Sequence, residues 1–317
     1  MPERAGWLAL ALILDAAIGD PDWLWRRLKH PVVWIGEQIS FFEKRWNKGE
    51  PANRRGAGLL TIALVLLTAV LAGLSVEAIA ALLPFGAVFE IAAAAILLAQ
   101  GSLAQHVRSV ANGLAESLDA GRTQVARIVG RDPQTLDESG VARAAIESTA
   151  ENFSDGVVAP ALFYLIFGLP GLFAYKALNT ADSMIGHLNE RCRDFGFAAA
   201  KLDDVANFIP ARLSAVFLLA AALLDRRDWR QASEAAFNDA KKHRSPNAGW
   251  PEAVMAGALD LSLAGPRIYE SRTVQDDWMH PAGRRQCGPA DIHAALRLFW
   301  LGCAVQGVLV GLIWLLF

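Results

Sequence analysis

AGLLTIALVLLTAVLAGLSVEAIAALL, residues 57–83, is an apolar block longer than the roughly 20 residues a helix needs to cross a bilayer. ALRLFWLGCAVQGVLVGLIWLLF (295–317) qualifies equally, and AVFEIAAAAILLAQ (87–100) qualifies once extended to residue 107. The chain has 317 residues, of which 54% are hydrophobic, and its mean hydropathy is +0.29. That length would hold two soluble domains, but the apolar residues gather in blocks rather than spreading as in a soluble core. WLALALILDAAIG (7–19) is shorter and holds Asp15. GDPDW follows it in place of a small-residue cleavage site, so it reads as a retained first helix and not as a signal peptide. The expected fold is all-α: a polytopic integral membrane protein with broken or re-entrant helices and cytoplasmic helical loops. One membrane-embedded domain is expected over 1–317, with segments at 7–19, 57–83, 87–107, 157–178, 205–224 and 295–317.

The loop 22–55 carries eight Lys/Arg and the loop 225–290 carries ten, which places both on the cytoplasmic side. LPFG (83–86) then turns outside, and 87–107 returns the chain. Residues 108–145 read as an amphipathic helical segment with a turn at DPQTLDESG. The run 157–178 is interrupted by Pro160 and by Gly168-Leu169-Pro170-Gly171, and 205–224 by Pro210 and Arg212. Halves of about ten residues are too short to span, and broken helices are tolerated where they line a cavity or pack on protein. Two re-entrant or interfacial hairpins would keep the polar clusters 108–155, 182–204 and 225–290 on one cytoplasmic face. The net charge of −2 gives no bias towards nucleic acid, and Cys192, Cys287 and Cys303 show no metal or disulfide spacing.

ESTAENFSDG (147–156) sets Glu147, Glu151 and Asp155 directly before apolar sequence. On a helix Arg143, Glu147 and Glu151 fall at i, i+4 and i+8, one stripe. A soluble helix would present such a stripe as a solvated ion-pair face, but carboxylates at membrane depth cost several kcal/mol and need a cation, a cavity or a job. In KALNTADSMIGHLNERCRDFG (176–196), read as one helix, Asn179, Asp182, Ser183, Gly186, Glu190 and Arg193 share a face. KLDDVANFIPAR (201–212) adds Asp203 and Asp204. Eight carboxylates lie between Glu147 and Asp204, with amides and little His, which suits Mg²⁺ held together with substrate phosphates better than zinc. His187 alone reads as a hydrogen-bonded structural residue. HRSPNAGWPEAVMAGAL (243–259) is a rigid turn before a helix start, open to anion binding or simply a Pro-started helix. GDP (19–21) and HPV (30–32) are short and weak signals, and no GxxxxGK[ST] loop occurs.

Taken together, D-x3-GDP from Asp15, HPV-x2-IG from His30, ESTAEN-x2-DGVVAP from Glu147, YKA-x-NT-x-DSM-x-G from Tyr175, NER-x-RDFG from Asn189, LDD-x-AN-x-IPAR from Leu202 and SPNAGWPEA from Ser245 resemble the CobD/CbiB family of cobalamin-biosynthesis membrane proteins, the adenosylcobinamide-phosphate synthases. The likeness runs in order over most of the chain and is weakest in 57–99 and 265–285. Cys192 stands where members usually carry an aromatic residue, and 270–289 is unusually rich in charge. The resemblance implies an ATP-dependent ligase in the cytoplasmic (inner) membrane with its active face towards the cytoplasm. Its substrates would be adenosylcobyric acid and aminopropanol or the O-phosphate of aminopropanol. A propionate carboxylate would be activated as an acyl phosphate and attacked by the amine, which calls for Mg²⁺, cations and a base. Glu147, Glu151, Asp155 and Asp182 are then the candidates for catalysis, with Glu147, Glu151 and Asp182 as Mg²⁺ ligands. Lys176, Arg191, Arg193 and Arg212 are candidates for phosphate contacts. Asn152, Asn179, Asn189, Asn207 and Asn247 would meet the corrin rim, and Glu190, Asp203 and Asp204 complete the substrate-binding set. Membrane lipid and other late cobalamin-assembly enzymes are the expected partners, with no nucleic acid. Two other classes share this outline: AmpE-type membrane sensors or regulators, and a corrinoid-binding or transport protein without ligase activity.

Overall fold

The computed structural model describes residues 2–130, 132–269, 272–274 and 276–316, so the charge-rich segment 270–289 is described only in part. In chain order the helices are α1 (Pro2–Ile18), α2 (Asp22–Trp25), α3 (Pro31–Trp46), α4 (Pro51–Leu82), α5 (Gly86–Leu97), α6 (Gln100–Glu116) and α7 (Leu118–Val125). They continue as α8 (Glu138–Phe153), α9 (Ala159–Ile185), α10 (Phe197–Ala206), α11 (Phe208–Leu224), α12 (Trp229–Asp239), α13 (Gly249–Leu259) and α14 (Pro289–Leu316). A π-helical turn, Ser154–Val158, joins α8 to α9. Four short strands, β1 (Leu263–Ala264), β2 (Arg267–Tyr269), β3 (Arg272–Val274) and β4 (Trp278–Met279), pair antiparallel as β1–β4 and β2–β3. Stretches Pro51–Leu82, Gly86–Glu116, Glu138–Ile185 and Pro289–Leu316 are long and apolar enough to cross a membrane, and α10 with α11 would make a fifth as a bent pair. This is a polytopic helical membrane protein.

The chain forms two compact units: Met1–Ala99 with Ala159–Asn207 and Val310–Phe317, and Gln100–Val158 with Phe208–Leu309. In the first unit α4 is the organising element. Its buried residues Gly58, Thr61, Ile62, Val65, Ala69, Gly73 and Ala80 recur at helical spacing, while Leu59, Leu67, Leu71 and Leu82 stand exposed as lipid-facing side chains do. The small members of that stripe let other backbone approach, as helix pairs in lipid require. A Cβ on Gly73 would lie 2.6 Å from Pro170 Cα, and one on Gly58 would overlap the Phe195 carbonyl. The chain's two ends also meet here, since a Cβ on Gly6 would come within 2.9 Å of Trp314 Nε1.

Several segment expectations change in this unit. Residues 31–46, expected within a cytoplasmic loop, form a helix that packs antiparallel along α4. Ile39 is fully buried with Ile62 and Val65, Thr68 donates to Gln38 at 3.1 Å, and Arg54 to Asn47 at 2.7 Å. The segment 87–107 is not one helix, because Leu98 is extended (ψ 163°) between α5 and α6. The Ile96 carbonyl at that break is taken by His30 Nε2 at 3.2 Å.

The expected interruption of 157–178 lies at Gly168 and not at Pro160, which sits harmlessly in the first turn of α9. Gly168 has φ +71°, and there the chain folds back. Phe163 and Tyr175 would be about 18 Å apart along a straight helix, yet their rings stack at 4.9 Å. The two arms of α9 therefore form a helical hairpin, the shape expected of a re-entrant segment, although its length and composition alone would suit a straight span. Glu77 Oε1 accepts the Leu169 N–H at 2.9 Å and Arg4 donates to the Ile166 carbonyl at 3.4 Å, so the groups freed by the fold-back are paired. The break in 205–224 likewise falls at Asn207, ahead of Pro210.

In the second unit α6, α8, α11, α13 and α14 bury one continuous core, in which Phe153 meets the edge of Phe299 at a centroid distance of 5.7 Å. The β1–β4 ladder is short because Ala264 and Gly265 both take positive φ (58° and 78°), and Gly265 leaves room for the Trp278 ring.

Gly168→Ala should destabilise the protein by about 1–3 kcal/mol, since φ +71° is strained for alanine and its methyl group would overlap Glu77 Oε1. Gly56→Ala, with nothing within 4 Å, should leave stability unchanged or slightly raised. Thermal unfolding in one detergent compares them; equal melting temperatures would contradict the assigned fold-back.

Candidate functional site

The candidate residues divide between the two units. In the first, α9 carries Lys176, Asn179 and Asp182, and α10 carries Asp203 and Asp204. Asp182 and Asp204 are near enough to repel one another, with His187 also in electrostatic reach of Asp182. Tyr175 donates from its hydroxyl to Asn207 Oδ1 at 2.8 Å, and Asn207 Nδ2 donates to Asp203 Oδ2 at 2.9 Å. Asn207 is 1% exposed. With both ends of its amide engaged, it ties α10 to α9.

The helical face drawn through Asn179, Asp182, Gly186, Glu190 and Arg193 is interrupted. Helix α9 ends at Ile185, with the Gly186 N–H bonded back to the Asp182 carbonyl at 2.7 Å, so Glu190 and Arg193 lie off that helix. Residues 189–196 are a chain of turns held by α3 and α4. Asn189 Oδ1 accepts the Cys192 N–H at 2.9 Å, and Arg55 pairs with buried Asp194 at 3.0 Å. Arg54 donates to the carbonyls of Glu190 and Arg191. Arg191 sets two nitrogens on the two oxygens of Glu43, both at 2.6 Å. That bidentate pair makes Arg191 a clamp on Glu43. The side chains of Arg193 and Glu190 are exposed.

In the second unit, Arg143, Glu147 and Glu151 do lie along α8, but not as a solvated ion-pair face. Glu147 is 4% exposed and accepts the Ala264 N–H at 2.8 Å, which fixes the positive-φ turn of β1. Arg143 donates to the Arg285 carbonyl at 2.7 Å and stacks on Trp278. Glu151 is exposed, Asp155 is half-buried in the π-helical turn, and Asn152 donates to the Ser148 carbonyl at 2.9 Å. Arg212 and Asn247, far apart in sequence, meet at 2.7 Å. Cys192, Cys287 and Cys303 are buried thiols.

Among the described residues no three His, Cys, Asp or Glu side chains group to hold a metal ion, so Glu147, Glu151 and Asp182 do not form one cage. One reason is local: a Glu147 oxygen already serves the Ala264 amide. The Asp182–Asp204 pair still fits Mg²⁺, which is bound through one or two carboxylates plus substrate phosphates.

The structure also raises residues that sequence reasoning passed over. His30 and Asp20, from the HPV and GDP stretches, lie 3.8 Å apart, with Lys176 in electrostatic reach of the ring. The Val32 N–H donates to His30 Nδ1 at 3.2 Å, so the ring is neutral with its proton on Nε2. Burial holds its pKa below the ordinary imidazole value, against the pull of Asp20 and of the Ile96 carbonyl, while Lys176 pushes it the same way as burial. Glu77 and Glu90 were lone carboxylates within apolar blocks, a signal in itself. Glu77 holds the fold-back, and buried Glu90 accepts the Tyr164 hydroxyl at 2.8 Å.

A family model described as CobD/Cbib protein matches residues 8–299. The chain is 53% identical to Cobalamin biosynthesis protein CobD of Brucella suis biovar 1 over 96% of this chain and 97% of that one. It is 51% identical to the protein of that name from Sinorhizobium fredii, over 96% of each chain. For its namesake from Rhodobacter capsulatus the identity is 44%, over 98% and 97%. No solved structure matches the chain.

Two stability measurements separate structural from chemical duties. Glu147→Leu strands the Ala264 amide and should cost about 1–3 kcal/mol, whereas Glu151→Gln at an exposed site should leave the melting temperature unchanged. Folded His30 holds a proton less tightly than the unfolded chain does, so protons favour unfolding. Its contribution is complete above the ordinary imidazole range and is lost as the pH falls through and below it. Between about pH 8 and about pH 5.5, the wild type should therefore lose more melting temperature than His30→Gln, and an equal loss would refute the neutral ring.

Proposed function

The chain belongs to the CobD/Cbib family, and from that premise we propose that it acts in cobalamin biosynthesis as an ATP-dependent ligase. It would join a propionate carboxylate of adenosylcobyric acid to the amine of aminopropanol or its O-phosphate. The observation that carries the reading is the Asp182–Asp204 pair. Asp204 also pairs with Lys201 at 3.1 Å, and hard carboxylates within electrostatic reach of one another are the donors with which Mg²⁺ is held together with substrate phosphates, as phosphoryl transfer requires. Asp182 and Asp204 would hold Mg²⁺, whose chemistry is to neutralise the phosphate oxygens. Lys176 would contact the transferring phosphoryl group as a point charge. The γ-phosphoryl group passes to a carboxylate oxygen and ADP leaves. The amine nitrogen then attacks the carbonyl carbon, phosphate departs, and a carboxylate of this chain accepts the amine proton. The active face would be the cytoplasmic face of the inner membrane, where ATP is found; the Lys/Arg content of 22–55 and 225–290 supports that side.

Purified protein given cobyric acid, ATP, Mg²⁺ and each amine should form the amide and release ADP. Asp182→Asn and Glu151→Gln should each cut turnover by about a hundredfold or more while remaining folded. Wild-type protein that makes no amide with either amine would remove the ligase reading. The helix breaks at Leu98 and Gly168 also suit a corrinoid carrier. Growth separates the two: a deletion strain should fail on cobyric acid but grow on cobinamide, whereas loss of a carrier would impair both. For sidedness, a cysteine at exposed Lys201 should resist a membrane-impermeant reagent applied outside intact cells, and strong labelling would place this face outside.

A further inference from the structure

Arg212 differs from most engaged arginines in what it touches. Arg55, Arg191, Arg227, Arg284 and Arg297 each pair with a carboxylate. Arg212 Nη1 donates to the Phe208 carbonyl at 3.0 Å and to Asn247 Oδ1 at 2.7 Å, and Nη2 donates to the Pro246 carbonyl at 3.2 Å. Its guanidinium lies 3.9 Å from the Phe208 ring centroid and 5.0 Å from that of Trp250. All of these partners are neutral, and no carboxylate lies against it among the described residues. Three of the five guanidinium N–H donors are thereby oriented, and two remain. The side chain is half-buried, so its charge is only partly screened by water. The acceptors Asn247 and Pro246 belong to the turn that opens α13, where Ser245 Oγ accepts the N–H groups of Asn247 and Ala248. Buried Glu252 in the first turn of α13 offsets the dipole of that helix, so the positive charge here is that of Arg212.

A cation held rigid by rings and carbonyls, with donors left over and no counter-ion, is built to receive an anion. We propose that Arg212 is the receptor for a phosphoryl group of one substrate. The ligase reading is needed only to name that substrate: the nucleotide triphosphate, or the phosphate ester of the amino alcohol. The anion site itself does not depend on it.

Thermal unfolding of the full-length protein in detergent tests this with inorganic phosphate, ATP and aminopropanol O-phosphate, each against sodium chloride at equal ionic strength. At least one phosphoryl compound should raise the melting temperature of the wild type, and Arg212→Gln should abolish that rise. Loss of the ATP response alone assigns the site to the nucleotide. Loss of the amino-alcohol phosphate response alone assigns it to the ester, and the matching KM should rise about tenfold with kcat little changed. Arg212→Lys keeps the charge but not the fork, and its affinity should fall about tenfold. If the Gln variant does not fold, unchanged affinity in the Lys variant overturns the proposal. So does an equal response in wild type and Gln variant, or no response in the wild type. A wild type that binds phosphate but forms no amide defeats the ligase reading and leaves the anion site standing.

Discussion

The hydrogen bond from the Leu169 N–H to Glu77 is what the first unit depends on. Inside a bilayer, water does not reach a freed amide or carbonyl, so a helix can fold back only where side chains take over the lost bonds. Glu77 takes the amide beyond Gly168, Arg4 takes a carbonyl before it, and His30 does the same for Ile96 at the end of α5. These three polar side chains come from α4, α1 and the turn before α3. Beyond the fold-back, the second arm of α9 carries Asp182 within electrostatic reach of Asp204 on α10. Charge within the greasy blocks thus secures the backbone first, and the chemistry of the site is arranged on that frame.

The same division of labour runs through the polar motifs. Asn207, Arg191, Asn189 and Glu147 sit in the most family-like stretches, and each makes a hydrogen bond to backbone or to another side chain that helps to hold the fold. Asp182, Asp204 and Lys176 are half-buried, whereas Glu151 and Arg193 are exposed.

The membrane character and the interruption near Gly168 were legible because both rest on local rules: the length of an apolar run, and glycine and proline where a helix must yield. The motif carboxylates were legible as unusual, since charge beside apolar sequence is costly. Their duties were not, because a hydrogen bond such as Glu147 to Ala264 joins positions more than a hundred residues apart and leaves no trace in periodicity. Residues 31–46 show the converse. Their basic neighbours pointed to a loop in water, but Ile35, Ile39 and Phe42 supply a stripe that packs against α4, and burial of that stripe outweighed the charge. The face assumed for 176–196 failed where a helix was extended past Gly186 without allowing for its C-terminal cap.

The meeting of Gly6 with Trp314 bears on the order in which the protein is made. The first unit is assembled from three separated stretches, and residues 310–317 are synthesised last of them. Residues 1–99 therefore enter the membrane long before the indole that covers α1 leaves the ribosome. Until then α1 holds an open groove at Gly6, and the early helices wait in the lipid as an unfinished partner, exposed to wrong pairings that the late arrival of the C-terminal helix ends. The packing at Gly6 thus comes later in synthesis than the insertion of α1.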